Sequence, residues 1–169
     1  MKEVDTLKQL FHVSASPHIR SGASTGDIMR DVVIALLPAS LFSIYWFGFQ
    51  SLLIQLVCVT TCVISEYVWR RCMKKAYVPY ECSAIVTGIL LAMNLPVGVP
   101  IWMAIAGSVF AIIVVKELYG GLGQNFMNPA LAARCFLLIS FPGIMTNFEC
   151  DAYAGATPLA ILKSGESVN

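Results

Sequence analysis

The sequence predicts an all-α integral membrane protein with about five transmembrane helices, some of them short or broken. Hydrophobic residues make up 57% of the 169 residues and charged residues only 12%, whereas a soluble domain carries about 25% charged residues. Five segments approach the ~20 apolar residues that a helix needs to cross a bilayer. Some of these segments are interrupted by Gly and Pro, which is typical of transporter-like folds with discontinuous helices.

The first two segments are long apolar runs, and Pro38 should kink the first of them. They read "DVVIALLPASLFSIYWFGF" at 31–49 and "SLLIQLVCVTTCVISEYVW" at 51–69. Tyr45 and Trp46 near the end of the first run fit the aromatic belt that forms at membrane interfaces. The two runs therefore predict two spans that are joined by a tight turn around Gly48.

The remaining three segments cover 79–96, 99–118 and 128–145, and the third and fifth are short. Asn128-Pro129 at the start of the fifth segment reads as an N-cap followed by Pro at the first helical position. We expect a transmembrane helical domain over 31–145. It would follow an N-terminal cytoplasmic segment, 1–30, and precede an extracytoplasmic segment, 146–169.

The orientation follows from the distribution of Lys and Arg between the connecting segments. Nine basic residues fall on one side of the predicted topology: Lys2, Lys8, Arg20, Arg30, Arg70, Arg71, Lys74, Lys75 and Lys116. Only Lys163 falls on the other side. Because an excess of Lys and Arg marks the cytoplasmic face, the N-terminus is predicted to be cytoplasmic and the chain after the fifth span extracytoplasmic.

Two charged residues lie inside predicted spans, where charge is costly and often functional. Glu66 lies near the basic loop, and Arg70 four residues later suits a plain interfacial ion pair. Arg134 lies deeper, in the fifth span. It would line a polar cavity, contact an anionic group of a cofactor or lipid, or pair with a carboxylate elsewhere in the complex.

The cysteines give no metal-binding pattern. Six cysteines form no CxxC pair and no cluster with His. Cys58 and Cys62 share one helix face within an apolar run, and a free cysteine is usually a small buried apolar residue. We therefore expect buried thiols and no metal site.

A glycine-rich stretch, "YGGLGQNFMNPA" at 119–130, joins the fourth and fifth spans. Glycine permits backbone conformations that other residues avoid, so a tight cytoplasmic turn is the simplest interpretation. The Asn-Pro-Ala triplet is also found in water channels, but such channels need two facing copies and this sequence has one.

Near its end the chain becomes polar, in "DAYAGATPLAILKSG" at 151–165. Thr157-Pro158 fits an N-cap with Pro at the first helical position, and Gly165 fits the stop of a short helix. A helix N-terminus is also a ready site for phosphate, and the small residues Gly155 and Ala156 leave the Thr157 hydroxyl accessible. A phosphoester at Thr157 is physically allowed but not required. A simple helix cap explains the same local sequence without any bound group.

Four stretches carry a resemblance to a known family. They are "SASPHIR" at 14–20, "YVPYECSAIVTGILLAMNLP" at 77–96, "YGGLGQNFMNPALAARCFLL" at 119–138 and "DAYAGATPLA" at 151–160. Together they resemble the D subunits of Rnf electron-transport complexes, which are related to the B subunit of the sodium-pumping NADH:quinone oxidoreductase. Members of that family are about twice as long, so the chain resembles an N-terminal half.

The resemblance implies a flavoprotein of the bacterial inner membrane. In the family, FMN is attached by a flavin transferase through a phosphoester to a threonine, here Thr157. Asp151, Gly155 and Ala156 would belong to the recognition sequence, and Ala154 stands where the family usually has Ser or Thr. The resemblance also implies a second, non-covalent flavin, which we expect at the glycine-rich turn, 120–128.

The implied function is electron relay in an ion-translocating ferredoxin:NAD⁺ oxidoreductase. Its partners would be the other Rnf subunits (A, B, C, E and G), the flavin transferase and membrane lipid, with no nucleic acid. Two alternatives stay open. One is a passive channel or solute transporter, and the other is a structural scaffold protein; in both, Thr157 is only a helix cap.

Overall fold

The computed structural model describes residues 24–74 and 82–147, and every helix below lies within those ranges. The described helices are α1, Thr25–Cys72; α2, Ser83–Asn94; α3, Ile101–Val109; α4, Pro129–Ser140; and α5, Pro142–Met145. A π-helical stretch, Phe110–Glu117, continues α3 directly and is called the π segment here. The described part of the chain is helical and contains no strand, which agrees with the predicted all-α class.

Helix α1 begins with a reciprocal capping arrangement. The backbone N–H of Asp27 donates to the Ser24 hydroxyl at 3.2 Å, and the Ser24 N–H donates to the Asp27 carboxylate at 3.2 Å. These bonds satisfy two of the amide groups that a helix leaves free at its N-terminus. The start of α1 is thereby fixed by local sequence.

Helix α1 consists of two arms, 25–47 and 49–72, that meet at Gly48. Gly48 has φ 71° and ψ −157°, which lies outside the helical region. The Ser40 hydroxyl donates to the side-chain oxygen of Gln55, and the hydroxyls of Ser43 and Ser51 are 2.8 Å apart. Fifteen residues of straight helix would separate Ser40 from Gln55 by about 22 Å. The arms therefore form an antiparallel hairpin, as the two apolar runs predicted.

By length and composition, α1 is the one described helix both long and apolar enough to cross a membrane. Helices α2 and α4 are apolar but contain 12 residues each, which corresponds to about 18 Å. They are shorter than the predicted segments 79–96 and 128–145. The expectation of short or broken helices agrees with this, while five spans and the cytoplasmic N-terminus stay predictions.

The fifth predicted segment is interrupted near its end. Helix α4 stops at Ser140, Phe141 adopts φ −137° and ψ 61°, and the single turn α5 follows. Pro142 at the start of α5 lacks an N–H and disfavours helical backbone at the residue before it. The segment 128–145 is therefore two helical pieces rather than one continuous helix.

The core lies between the second arm of α1 and helices α2, α3 and α4. Cys58, Leu91, Met103, Ala133 and Leu137 are fully buried within it. Cys58 and Cys62 both have no exposed surface, which confirms the prediction of buried thiols for this pair, whereas it is wrong for Cys72 and Cys135, which are exposed. Among the residues described here, no three His, Cys, Asp or Glu side chains are grouped so as to hold a metal ion.

Candidate functional site

The predicted flavin-attachment residues lie outside the described residues. Asp151, Gly155, Ala156 and Thr157 all belong to the segment 148–169. The described chain ends at Asn147, beyond α5. Thr157 as acceptor and the three recognition residues therefore stay predictions from sequence.

A small cavity lies close to the point where the described chain ends. Its volume is about 260 Å³, and Gly98, Pro100, Gly143, Ile144 and Asn147 line it. Gly98 and Pro100 lie between α2 and α3, whereas the other three belong to the α5 region. The cavity is thus formed at the end of the bundle where α2 finishes and α3 begins.

At the opposite end of α2, four charged side chains form a buried group that we call the charge cluster: Glu66, Arg70, Lys116 and Glu117. Arg70 Nη2 lies 2.6 Å from Glu66 Oε1, which confirms the predicted i, i+4 ion pair. Lys116 Nζ lies 3.1 Å from Glu66 Oε2, and Arg70 Nε lies 3.4 Å from Glu117 Oε1. Within residues 24–74 and 82–147, the charge cluster thus contains two positive and two negative side chains.

The charge cluster is far more buried than a simple interfacial pair. The side chains of Arg70 and Glu66 are 9% and 7% exposed, and that of Lys116 is 2% exposed. Lys116 Nζ also donates to the Ser83 hydroxyl at 2.7 Å. A buried charge without a partner would cost several kcal/mol, so each member depends on the others. Lys116, expected among the basic loop residues, is instead an interior side chain.

Arg134 makes a polar contact that the sequence did not identify. Its Nη1 donates to the Asn94 Oδ1 at 2.9 Å, and Asn94 Nδ2 in turn donates to the Leu90 carbonyl at 2.7 Å. Arg134 is half-buried, and among the described residues its side chain forms no ion pair with a carboxylate. The three expectations for Arg134, which are a polar cavity, an anionic group and a carboxylate elsewhere in the complex, stay predictions.

The glycine-rich turn lies next to a long apolar groove. Gly120, Gly121 and Gly123 have φ of 117°, 100° and 85°, in the region that favours glycine. Asn128 caps α4 by accepting from the Ala130 N–H at 3.0 Å, as predicted. The sequence was therefore sufficient to identify both the turn and the cap.

The groove has a volume of about 530 Å³, which is in the range of small-molecule sites. Its lining residues are Phe110, Val114, Val115, Tyr119, Phe126, Met127, Asn128, Leu131, Ala132, Cys135 and Phe136. The rings of Phe110 and Phe136 stack at 4.2 Å with an angle of 9°, and Tyr119 meets Phe126 edge-on at 4.9 Å. The groove thus combines flat aromatic surfaces with a lining that carries no charged side chain.

Comparison with known proteins identifies the class of this chain. The family model described as the NQR2, RnfD, RnfE family matches residues 12–169. The chain belongs to this family, and the resemblance inferred from the four sequence stretches is confirmed.

Three curated relatives are all D subunits of redox complexes. The chain is 52% identical over 159 residues to that of the "Na(+)-translocating ferredoxin:NAD(+) oxidoreductase complex" of Acetobacterium woodii, covering 92% of this chain and 50% of the relative. It is 38% identical over 169 residues to that of the "Proton-translocating ferredoxin:NAD(+) oxidoreductase complex" of Clostridium ljungdahlii, covering 96% and 51%. It is 43% identical over 140 residues to that of the "Ion-translocating oxidoreductase complex" of Aliivibrio salmonicida, covering 82% and 40%. The chain spans about half the length of these relatives.

Proposed function

We propose that the chain acts as part of the D subunit of an ion-translocating ferredoxin:NAD⁺ oxidoreductase complex in the bacterial inner membrane. The 52% identity to a protein named for that complex carries the proposal. The family match over residues 12–169 includes the stretch "DAYAGATPLA". The names of its relatives support membership of a multi-subunit assembly, whose other members would be the A, B, C, E and G proteins of the Rnf complex.

The proposed cofactor is FMN, esterified through its phosphate to the Thr157 hydroxyl by a flavin transferase. When attached, FMN would supply the electron-transfer chemistry, and the protein would supply position and electrostatics. Thr157 would offer the alcohol, and the neighbouring Gly155 and Ala156 carry no large side chain. Asp151 would complete the sequence that the transferase reads. A covalent bond keeps the flavin in place on the extracytoplasmic side, where it cannot be replaced from the cytosol.

A second flavin, held without a covalent bond, fits the apolar groove beside the glycine-rich turn. The stacked rings of Phe110 and Phe136 offer a flat aromatic surface of the kind against which a planar ring packs. Since no Lys or Arg lines the groove in the described chain, a flavin without a phosphate suits it best. This supports the expected location at 120–128.

The test of the proposed function is in-gel flavin fluorescence of the full-length protein, produced together with the flavin transferase. We expect a fluorescent band on a denaturing gel and an intact mass increased by one FMN. Thr157→Val should abolish both signals. Thr146→Val is the matched control, because the Thr146 hydroxyl only bonds the Pro142 carbonyl at 2.7 Å, and it should keep them.

The result also separates the alternative functions. A dark wild-type band from cells that contain the transferase would contradict the flavin relay and favour a passive channel or a structural scaffold. Fluorescence retained by Thr157→Val would place the covalent flavin on another residue.

A further inference from the structure

The π segment ends in two consecutive charged residues that both enter the charge cluster. Lys116 is 1% exposed and Glu117 is 3% exposed. Lys116 contacts Glu66 at 3.1 Å and Glu117 contacts Arg70 at 3.4 Å. Two neighbouring side chains of one helix are thus held by two residues of the second arm of α1.

The π segment reads "FAIIVVKE" and itself contains neither Gly nor Pro. The pair Gly107-Ser108 lies just before it, and such pairs are one cause of distortion within a helix. Leu118 N–H donates to the Ile113 carbonyl at 3.0 Å and Gly121 N–H to the Lys116 carbonyl at 3.0 Å, both five residues apart. π-helices are rare and mostly occur as single-turn bulges, so contacts of this segment with other helices bear directly on whether it persists.

The helical register decides where these two charges point. In an α-helix each residue advances by about 100°, and a π-helix accommodates an extra residue within its turn. If the π segment relaxed to an α-helix, everything after it would rotate by about 100°. Lys116 and Glu117 would then leave Glu66 and Arg70, and buried charges would lose their partners.

The same register positions one wall of the apolar groove. Val114, Val115 and Tyr119 line the groove. The carbonyls of Lys116 and Glu117 accept the N–H groups of Gly121 and Gly120 at 3.0 and 3.1 Å. The two residues whose side chains enter the charge cluster therefore also hold the start of the glycine-rich turn through their backbone carbonyls.

We propose that Lys116 and Glu117 are positioning residues whose ion pairs with Glu66 and Arg70 hold the π segment in register and thereby set the shape of the groove. This goes beyond the proposed electron relay and does not depend on any flavin. The ion pairs lie at one end of the bundle. By fixing the register of the π segment, they would fix the positions of the groove-lining side chains beside them.

The test measures the register directly as a distance between two spin labels. One label replaces Leu118 after the π segment and the other replaces Ile64 in α1, both exposed at 62% and 61%. The full-length chain, with its other exposed cysteines replaced by Ala, is studied in lipid nanodiscs by pulsed electron spin resonance. Lys116→Met with Glu117→Gln should shift the distance by up to about 8 Å, because a ~100° rotation moves a side chain that far across a helix of 10–12 Å diameter.

Deletion of Val114 provides the matched rescue. Removing one residue inside the π segment lets it become an α-helix without rotating the residues that follow. With the charge cluster intact, this variant should keep the native distance within about 2 Å. The deletion combined with Lys116→Met and Glu117→Gln should also keep it.

The proposal is overturned if the neutralised variant folds with the native distance. It is equally overturned if the deletion variant, which keeps all four charges, shows a shifted distance or does not fold.

Discussion

Gly88 of α2 crosses the second arm of α1 so closely that a Cβ atom added to it would lie 2.7 Å from Val59 Cα. Real Cβ atoms do not approach a backbone atom at that distance, so the two helices touch backbone to backbone. Small residues at such crossings are what allow helices to pack tightly within a membrane.

Gly88→Ala should therefore destabilise the protein, although helix propensity alone would favour Ala by about 1 kcal/mol. Overpacking at the crossing should cost about 1–3 kcal/mol, and Gly88→Val should cost more. The free energy of unfolding in detergent micelles is the measurement. Gly98→Ala is the control, since a Cβ there meets nothing within 4 Å. An unchanged stability for Gly88→Ala would contradict the close crossing.

The hairpin of α1 depends on polar contacts between its arms. Gln55 accepts from the Ser40 hydroxyl of the first arm, and it also donates to the Ser51 hydroxyl of its own arm at 3.3 Å. Gln55→Leu removes the bond between the arms and should cost about 1 kcal/mol, the size typical of interhelical hydrogen bonds in membranes. The control is Thr60→Val, whose hydroxyl bonds only within its own helix. Equal effects of the two substitutions in the same unfolding measurement would argue against the inter-arm bonds.

The contact between Arg134 and Asn94 should appear as an energetic coupling. In a double-mutant cycle with Arg134→Met and Asn94→Leu, we expect a coupling of about 1–2 kcal/mol, since residues in direct contact show 0.5–3 kcal/mol. Arg134→Met paired with Asn125→Leu is the control, because Asn125 instead bonds the Met127 carbonyl at 2.9 Å. That pair should be additive within about 0.5 kcal/mol. If the effects of Arg134→Met and Asn94→Leu were also additive, the two side chains would not interact energetically.

The charge cluster should respond asymmetrically to the loss of one or two charges. Lys116→Met leaves Glu66 with one positive partner fewer in a buried setting, and breaking such a pair costs about 3–5 kcal/mol. Lys116→Met combined with Glu66→Gln should cost less than Lys116→Met alone, as judged by unfolding free energy. Arg30→Met is the control, because its ion pair with Asp27 is exposed and worth at most about 1 kcal/mol.

The predicted orientation can be tested with a membrane-impermeant thiol reagent on intact cells. In a chain whose exposed native cysteines are replaced, Ser164→Cys should react from outside, because the segment that carries Thr157 is predicted to be extracytoplasmic. Lys74→Cys, in the basic loop, should react only after the cells are permeabilised. Reaction of Ser164→Cys only after permeabilisation would place the flavin-attachment segment in the cytoplasm and contradict the proposed relay.

Features that depend on neighbouring residues could be predicted from the sequence. The turn at Gly48, the Asn128 cap and the Glu66–Arg70 pair all follow from spacing within a few positions, and all three are confirmed. The break at Phe141 was only partly foreseen, as a short segment bracketed by Pro. Local backbone chemistry is strong enough at these places to determine the structure.

Features that depend on tertiary contacts could not be predicted in the same way. Lys116 reaches Glu66 and Arg134 reaches Asn94 across long stretches of chain, and no periodicity relates these positions. The last two residues of the π segment, Lys116 and Glu117, likewise contact side chains of α1 that lie far away in the sequence. The predicted flavin-attachment residues lie outside the described part of the chain, so sequence remains their sole basis.

The hairpin of α1 has a consequence for how the protein enters the bilayer. Each arm closes its own backbone hydrogen bonds, and the two arms pair through Ser40, Ser43, Ser51 and Gln55. A paired unit of this kind hides its polar side chains before any later helix exists. The hairpin would therefore form first during insertion. Helix α2 and the π segment would then pack against its second arm.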